Sequence, residues 1–238
     1  MKMMLSDKVI PEITTLWKGA REYSFARDIS TFGLTESAVN ENLLGIIEDY
    51  PDVRLGLRAT FPEIHVKLYA RGKDEENVTR LLDGATERVL DKLGKRVLST
   101  KGEPMELVVG NILKGRKETI AVAESCTGGL LSSMLTNIPG SSDYFLFSGV
   151  TYSNDSKIKL LGVKKDVIET HGAVHEDTAK EMAICARRIA GATYGLSTSG
   201  IEGPSGGTEE KPVGTICIGI ATPVHAKDSG LFSSSETA

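Results

Sequence analysis

Ala121-Val122-Ala123-Glu124-Ser125-Cys126-Thr127-Gly128-Gly129 (AVAESCTGG, residues 121–129) is the stretch on which the fold of this chain turns. An apolar lead-in ends at Glu124. A polar triplet and two glycines follow, and then Leu130, Leu131, Met134 and Leu135 at helical spacing. The pattern predicts a buried strand, a tight polar turn and the first turns of a helix. Such a turn gathers unpaired backbone N–H groups and the positive end of a helix dipole. It seats an anion, or a nucleophile whose product charge must be stabilised. An ordinary N-cap by Ser125 or Thr127 beside a glycine turn accounts for the same letters, and the string alone does not separate the two readings.

From residue 106 onward the chain keeps this alternation. MELVVGNILKGRK predicts a helix, ETIAVAES a strand, and YFLFSGVTYS a longer apolar strand. DSKIKLLG, VKKDVIETHG and DTAKEMAICARRIAGA predict helices, and TYGLSTSG and TICIGIAT further strands. Strands alternating with helices predict an α/β domain over residues 106–238, three layers (αβα) around a mostly parallel sheet. Ligands of such sheets sit outside the carboxyl ends of strands. Polar clusters fall at those ends in Glu124–Gly129, Thr151–Lys157 and Ser197–Gly207.

Upstream, residues 31–105 read as a small α+β unit. Thr35 is a candidate N-cap for a helix carrying Val39, Leu43, Leu44 and Ile47 on one face. PDVRLGLRATFPEIHVKLYA alternates as an antiparallel strand pair, and DEENVTRLLDGATERVLDKLG as an amphipathic helix stopped at Gly94. The helix–strand–strand–helix order suggests a KH-type unit, but no GxxG loop is present to clamp a nucleic-acid backbone, which favours a scaffolding role. Residues 1–30 hold the only Trp, Trp17, and one short helical pattern, with too few apolar positions for a core.

The chain has 238 residues, 40% hydrophobic and 25% charged, as soluble globular proteins do. A net charge of -4 argues against a nucleic-acid partner held by phosphate neutralisation. No apolar run reaches the roughly 18 residues of a membrane span. No signal peptide is recognised in MKMMLSDKVIPEI, so a cytoplasmic location is expected. Cys126, Cys185 and Cys217 are scattered and fit reduced thiols.

The second polar cluster, VTYSNDSK, places Tyr152, Asn154 and Lys157 directly after a strand. A lysine in the first turn of a helix is disfavoured by the dipole, and partial burial adds to this. Both effects lower its pKa, as a lysine general base requires. A serine beside a neutral lysine, with a tyrosine hydroxyl to relay the proton, is one form of activated nucleophile. A solvated lysine and a half-buried tyrosine are the plain alternative. In the third cluster, Gly200, Gly203, Gly206 and Gly207 allow close backbone approach and an anion nest, while Pro204 and Pro212 stiffen the loop. His171 and His175 lie four apart, but Gly172 and Ala173 suggest a turn and no third ligand is evident, so no metal is expected.

Taken together, AESCTGGLL, GVTYSNDSK, HGAV and TSGIEGPSGGTEEKPVGT closely resemble the C-terminal domain of the CinA family over roughly residues 106–223. Residues 31–105 resemble the family's KH-like middle domain. MKMMLSDKVIPEI resembles the tail of its molybdopterin-binding-like domain, so that residues 1–30 are read as a remnant or linker. The resemblance implies an amidase that hydrolyses nicotinamide mononucleotide to nicotinic acid mononucleotide and ammonia, without a cofactor, in a homodimer. By motif, Ser125 is the nucleophile, Lys157 the base and Tyr152 a relay. Glu124, Thr127, Gly128, Gly129, Asn154, Gly200, Gly203, Gly206 and Gly207 bind substrate. A weakly active or inactive nucleotide-binding fragment, and a competence-associated interaction module, are the alternatives.

Departures from the family pattern are Glu202 and Ser199 in the glycine loop and His175 for a commoner serine. The family pattern after Pro223 has a further strand, a turn bearing an arginine and a closing helix, whereas this sequence reads VHAKDSGLFSSSETA and is expected to lack them.

Overall fold

A computed structural model describes residues 5–16, 22–60, 62–223 and 235–237. The chain divides into two compact units, Met1–Pro104 and Met105–Ala238.

The first unit opens with a π-helical turn, Leu5–Val9, and helix α1 (Ile10–Leu16), neither of which buries a residue. Trp17 lies outside the described residues. Next come β1 (Tyr23–Phe32), α2 (Glu36–Asn42), α3 (Ile46–Asp49), β2 (Val53–Thr60), β3 (Glu63–Gly72), α4 (Glu75–Leu93) and β4 (Val97–Ser99). The expected pair is β2 and β3, antiparallel and closed at Thr60↔Glu63. The sheet has four strands in the order β2-β3-β1-β4. The sequence reading missed β1, which begins before residue 31 and pairs with β3 along its whole length. Its inward face mixes Phe25 and Ile29 with Arg27 and Thr31, which blurs the alternation. Arg27 is drawn to Asp83 at 2.8 Å, and Thr31 Oγ1 donates to the Ile64 carbonyl at 2.9 Å.

Thr35 caps α2, its hydroxyl accepting from the Ala38 N–H at 3.2 Å. The expected single helix is broken after Asn42 because Gly45 takes a left-handed conformation (φ 85°). That break rotates the apolar face. Val39, Leu43 and Ile46 are buried with the inner face of α4, while Leu44 and Ile47 point to solvent.

The second unit carries α5 (Met105–Arg116), β5 (Ile120–Glu124), α6 (Leu130–Thr136), β6 (Phe145–Val150), α7 (Asn154–Ser156), α8 (Lys165–His171), α9 (Glu176–Ala190), β7 (Tyr194–Gly200), β8 (Thr215–Ala221) and β9 (Ser235–Thr237). The strand order is β6-β5-β7-β8-β9. The sheet is parallel across β6-β5-β7 and antiparallel beyond, at β8 and β9. Every residue of β5 is buried, as a central parallel strand requires. Its alternate side chains face opposite layers. Ile120 and Val122 pack with Leu113, Leu135 and Tyr144 on the α5–α6 side. Ala121 and Ala123 meet Leu161, Met182, Cys185 and Ala186 on the α9 side. Burying each large apolar side chain stabilises the fold by about 1.5–3 kcal/mol. The expectation that no strand follows Pro223 is corrected: the backbone of Ser235–Thr237 pairs antiparallel with Cys217–Thr215. No described helix is long and apolar enough to cross a membrane.

Candidate active site

The carboxyl ends of β5 and β6 lie side by side, with Glu124 opposite Val150. The pairing extends one residue further, as the Thr151 N–H donates to the Glu124 carbonyl at 2.8 Å. Beyond this point both chains turn away. After β5 the turn Ser125–Gly129 leads into α6, with Gly128 and Gly129 at φ 60° and 105°, conformations that side chains rarely adopt. After β6, Ser153 caps α7 by accepting from the Ser156 N–H at 3.1 Å. A π-helical turn, Lys157–Leu161, follows directly. This brings Lys157 back under the two strand ends.

Lys157 is fully buried and Ser125 nearly so, at 7% exposure. Lys157 Nζ lies 2.9 Å from Ser125 Oγ, 2.8 Å from the Thr151 carbonyl oxygen and 3.0 Å from the Tyr152 carbonyl oxygen. No carboxylate pairs with Lys157 among the described residues. Burial therefore pulls its pKa below the ordinary lysine value. Desolvation, not the hydrogen-bond geometry, is what favours the neutral amine. Nζ donates to the Ser125 hydroxyl and to both carbonyls; once neutral, its two N–H groups would serve the carbonyls and its lone pair would face the Ser125 hydroxyl. Cys126, next in the chain, is tuned the other way. Burial and the Glu202 charge push its thiol pKa up, against the backbone N–H groups of Cys126 and Thr127. A raised thiol pKa keeps Cys126 a poor nucleophile and leaves Ser125 as the turn's candidate one.

Glu124, expected among the substrate-binding groups, lies beneath the turn with its carboxylate engaged by the protein's own donors. It is fully buried. Its carboxylate accepts from Thr127 Oγ1 at 2.7 Å, and from the N–H groups of Gly129, Leu131 and Ser132 at 3.0, 3.2 and 2.9 Å. The Ser132 hydroxyl also donates to it and contacts the Ser148 hydroxyl. Burial alone would raise its pKa, but the hydrogen bonds from Ser132 and Thr127, with the backbone donors, outweigh that and hold it below the ordinary value. Glu124 thus places the protein's own negative charge at the N-terminus of α6. Thr127 is likewise committed, to Glu124 and to Thr198 Oγ1 at 2.7 Å. The Gly128 N–H closes the turn onto the Ser125 carbonyl at 3.1 Å.

Tyr152 is also placed differently from the relay expected of it. Tyr152 is 72% exposed, and its contact with Lys157 runs through the backbone carbonyl. Asn154 is exposed at the start of α7. Gly200 closes the far side of the site. A Cβ there would stand 2.7 Å from the Thr215 carbonyl and 3.1 Å from Cys126 Sγ, so only glycine lets β7 and β8 approach the turn. Gly203 and Gly207 serve the loop's own packing, since a Cβ on either would collide with Val213. Gly206 faces more open space. Sequence reasoning missed the carbonyls of Thr151 and Tyr152, which hold Lys157, and Thr198, which holds Thr127. Main-chain acceptors leave no mark in a sequence.

Two of the substitutions noted against the family pattern have local roles. Ser199 is buried and donates to the Ala173 carbonyl at 2.7 Å. His175 caps α9, its Nδ1 accepting from the Asp177 N–H at 3.1 Å, as a serine would. Its ring stacks on His171 with centroids 4.3 Å apart. Asp177 supplies the third potential ligand that the sequence reading did not find.

Residues 102–236 match the family description "CinA C-terminal domain", and residues 26–98 match "Damage-inducible protein CinA KH domain". A CinA-like protein of Desulfosudis oleivorans is 53% identical over 94% of this chain and 54% of its own length. One from Geobacter metallireducens is 38% identical over 97% of this chain and 55% of its own. The chain thus spans about half the length of the curated relatives it matches. Among solved structures, the competence/damage inducible protein CihA from Agrobacterium tumefaciens superposes with a TM-score of 0.52 at 33% identity. That match covers 56% of this chain and 78% of the other.

Proposed function

From the premise that this chain belongs to the CinA family, we propose that its second unit is an amidase acting on the carboxamide of nicotinamide mononucleotide, releasing nicotinic acid mononucleotide and ammonia. The observation that carries this reading is the buried, carboxylate-free Lys157 with its Nζ 2.9 Å from Ser125 Oγ. Neutral Lys157 takes the Ser125 proton as Oγ attacks the carboxamide carbon. The tetrahedral oxyanion needs donors aimed at it. The N–H groups of Gly128, Gly129, Leu131 and Ser132 are spent within the turn and on Glu124. The amides of Cys126 and Thr127, which lie against the Cys126 sulfur, are the donors we assign to that role, exchanging the sulfur for the oxyanion. As the C–N bond breaks, the Lys157 ammonium returns its proton to the leaving nitrogen, giving ammonia and a Ser125 ester. A water, deprotonated by the same lysine, hydrolyses the ester. No step needs a metal or an organic cofactor.

Glu202 supports a second reading. Its charge is felt at Cys126, so a carboxylate stands near the site where a substrate phosphate would approach. In that case the domain binds a nucleotide weakly or without turnover. Ammonia release, measured on nicotinamide mononucleotide beside nicotinamide and the dinucleotide, separates the readings. The amidase releases ammonia from the mononucleotide in preference to the other two. Calorimetric binding of the mononucleotide without ammonia release selects the non-catalytic reading.

A further inference from the structure

We propose that His171, His175 and Asp177 form a binding site for a borderline divalent cation of the Zn2+ class, separate from the Ser125–Lys157 pair. His171 ends α8 and His175 caps α9, and Gly172, at φ 79°, turns the chain between them. The turn stacks the imidazole rings at 4.3 Å and 20°. Asp177, in the first turn of α9, completes the group. Its Oδ2 lies 3.7 Å from His171 Nε2 and 3.5 Å from His175 Nδ1. One ligand atom from each of the three residues falls within 4.8 Å of the others.

Around an ion bound at about 2.0–2.2 Å, neighbouring ligand atoms stand about 3–3.5 Å apart. The two distances from Asp177 need only a few tenths of an ångström of closure to reach this, and the two stacked imidazoles must rotate so that both nitrogens converge on the ion. The donor set of two imidazoles and one carboxylate suits Zn2+ better than Ca2+ or Mg2+, which favour all-oxygen sites. His175 Nδ1 accepts the Asp177 N–H, so a cation bound there would take that nitrogen over from the helix cap. All three side chains are partly exposed, so an ion can reach them and water can fill its remaining positions.

The turn that carries these ligands is tied to the glycine loop and to β7. Lys211 Nζ donates to the His171 carbonyl at 3.2 Å, and Ser199 Oγ to the Ala173 carbonyl at 2.7 Å. A bound ion would fix the α8–α9 turn and, through Lys211, one side of the loop from Ile201 to Gly214.

The test is calorimetric titration of the tag-free, chelator-treated chain with zinc chloride, followed by Co2+ absorption spectra. The wild type should bind one equivalent of Zn2+ in the micromolar range. His175→Ser, which keeps a hydroxyl to cap α9, and His171→Gln should each weaken binding by at least about ten-fold with unchanged circular dichroism. The Co2+ complex should show ligand-field bands without thiolate charge transfer. No zinc binding by the wild type, equal affinity in both variants, or a thiolate charge-transfer band pointing to the cysteines would each overturn the assignment.

Discussion

Lys157 Nζ sits 2.9 Å from Ser125 Oγ across a separation of 32 residues, and the lysine has no measurable exposure to solvent. Two backbone carbonyls complete its contacts, at 2.8 and 3.0 Å. Carbonyl oxygens accept from the lysine but supply no counter-charge to offset its desolvation. The site therefore stores its reactivity in a lysine whose neutral form is favoured by desolvation.

The pH dependence follows from that relationship. The base works only when neutral, so log(kcat/KM) for amide hydrolysis should rise with pH through the folded pKa of Lys157 and then level off. Because burial depresses that pKa, the rise should be complete below the ordinary lysine range. A profile that still climbs through the pKa of a free lysine would show that Lys157 is not so tuned.

The same burial sets a stability cost. Between its folded and unfolded pKa values, Lys157 binds its proton more readily in the unfolded chain. Its contribution to stability therefore rises with pH, and the full penalty is paid below the folded value. Lys157→Met removes that penalty. Thermal melts at neutral pH should show stability unchanged or raised by about 1 kcal/mol while activity disappears. A loss of several kcal/mol would mean that the lysine's polar contacts hold the fold.

Glu124 has the opposite sign. Its folded pKa is depressed, so its stabilisation is present above the unfolded carboxylate pKa and is lost as pH falls through the folded one. Glu124→Gln should cost about 1–3 kcal/mol at neutral pH, since backbone donors at the start of α6 lose a charged acceptor. In urea melts the variant should also lose less stability on acidification than the wild type. Parallel curves for the two proteins would count against this role.

Tyr152 offers a discriminating substitution. Its carbonyl, not its hydroxyl, meets Lys157. Tyr152→Phe should keep kcat within about three-fold of wild type, whereas removing a group that transfers protons costs about 10²–10⁴-fold. A loss of that larger size would return the hydroxyl to the proton path.

Much of this site was legible in the residues, for reasons that can be named. AVAESCTGG announces a strand, a turn and a helix because burial of β5, the two left-handed glycines and the apolar face of α6 each constrain residue type. Lys157 was legible because it follows an apolar strand directly, where a charge must be either solvated or put to use. The engagement of Glu124 with α6 was not legible, because a carboxylate at a strand end reads alike whether it faces a ligand or a helix N-terminus. β1 was missed because Arg27 and Thr31 interrupt its apolar face and find partners only in the folded unit. Asp177 stands two residues beyond His175, yet only the turn at Gly172 brings His171 to both.

The most direct test of the central claim is the hydrolysis rate of nicotinamide mononucleotide by wild type, Ser125→Ala, Lys157→Ala and the double variant. If Lys157 activates Ser125, each single substitution should lower kcat/KM by at least about 10³-fold, and the double variant should be no worse than the weaker single one, because the two residues act as one unit. Equal ammonia release by wild type and both single variants would contradict the account.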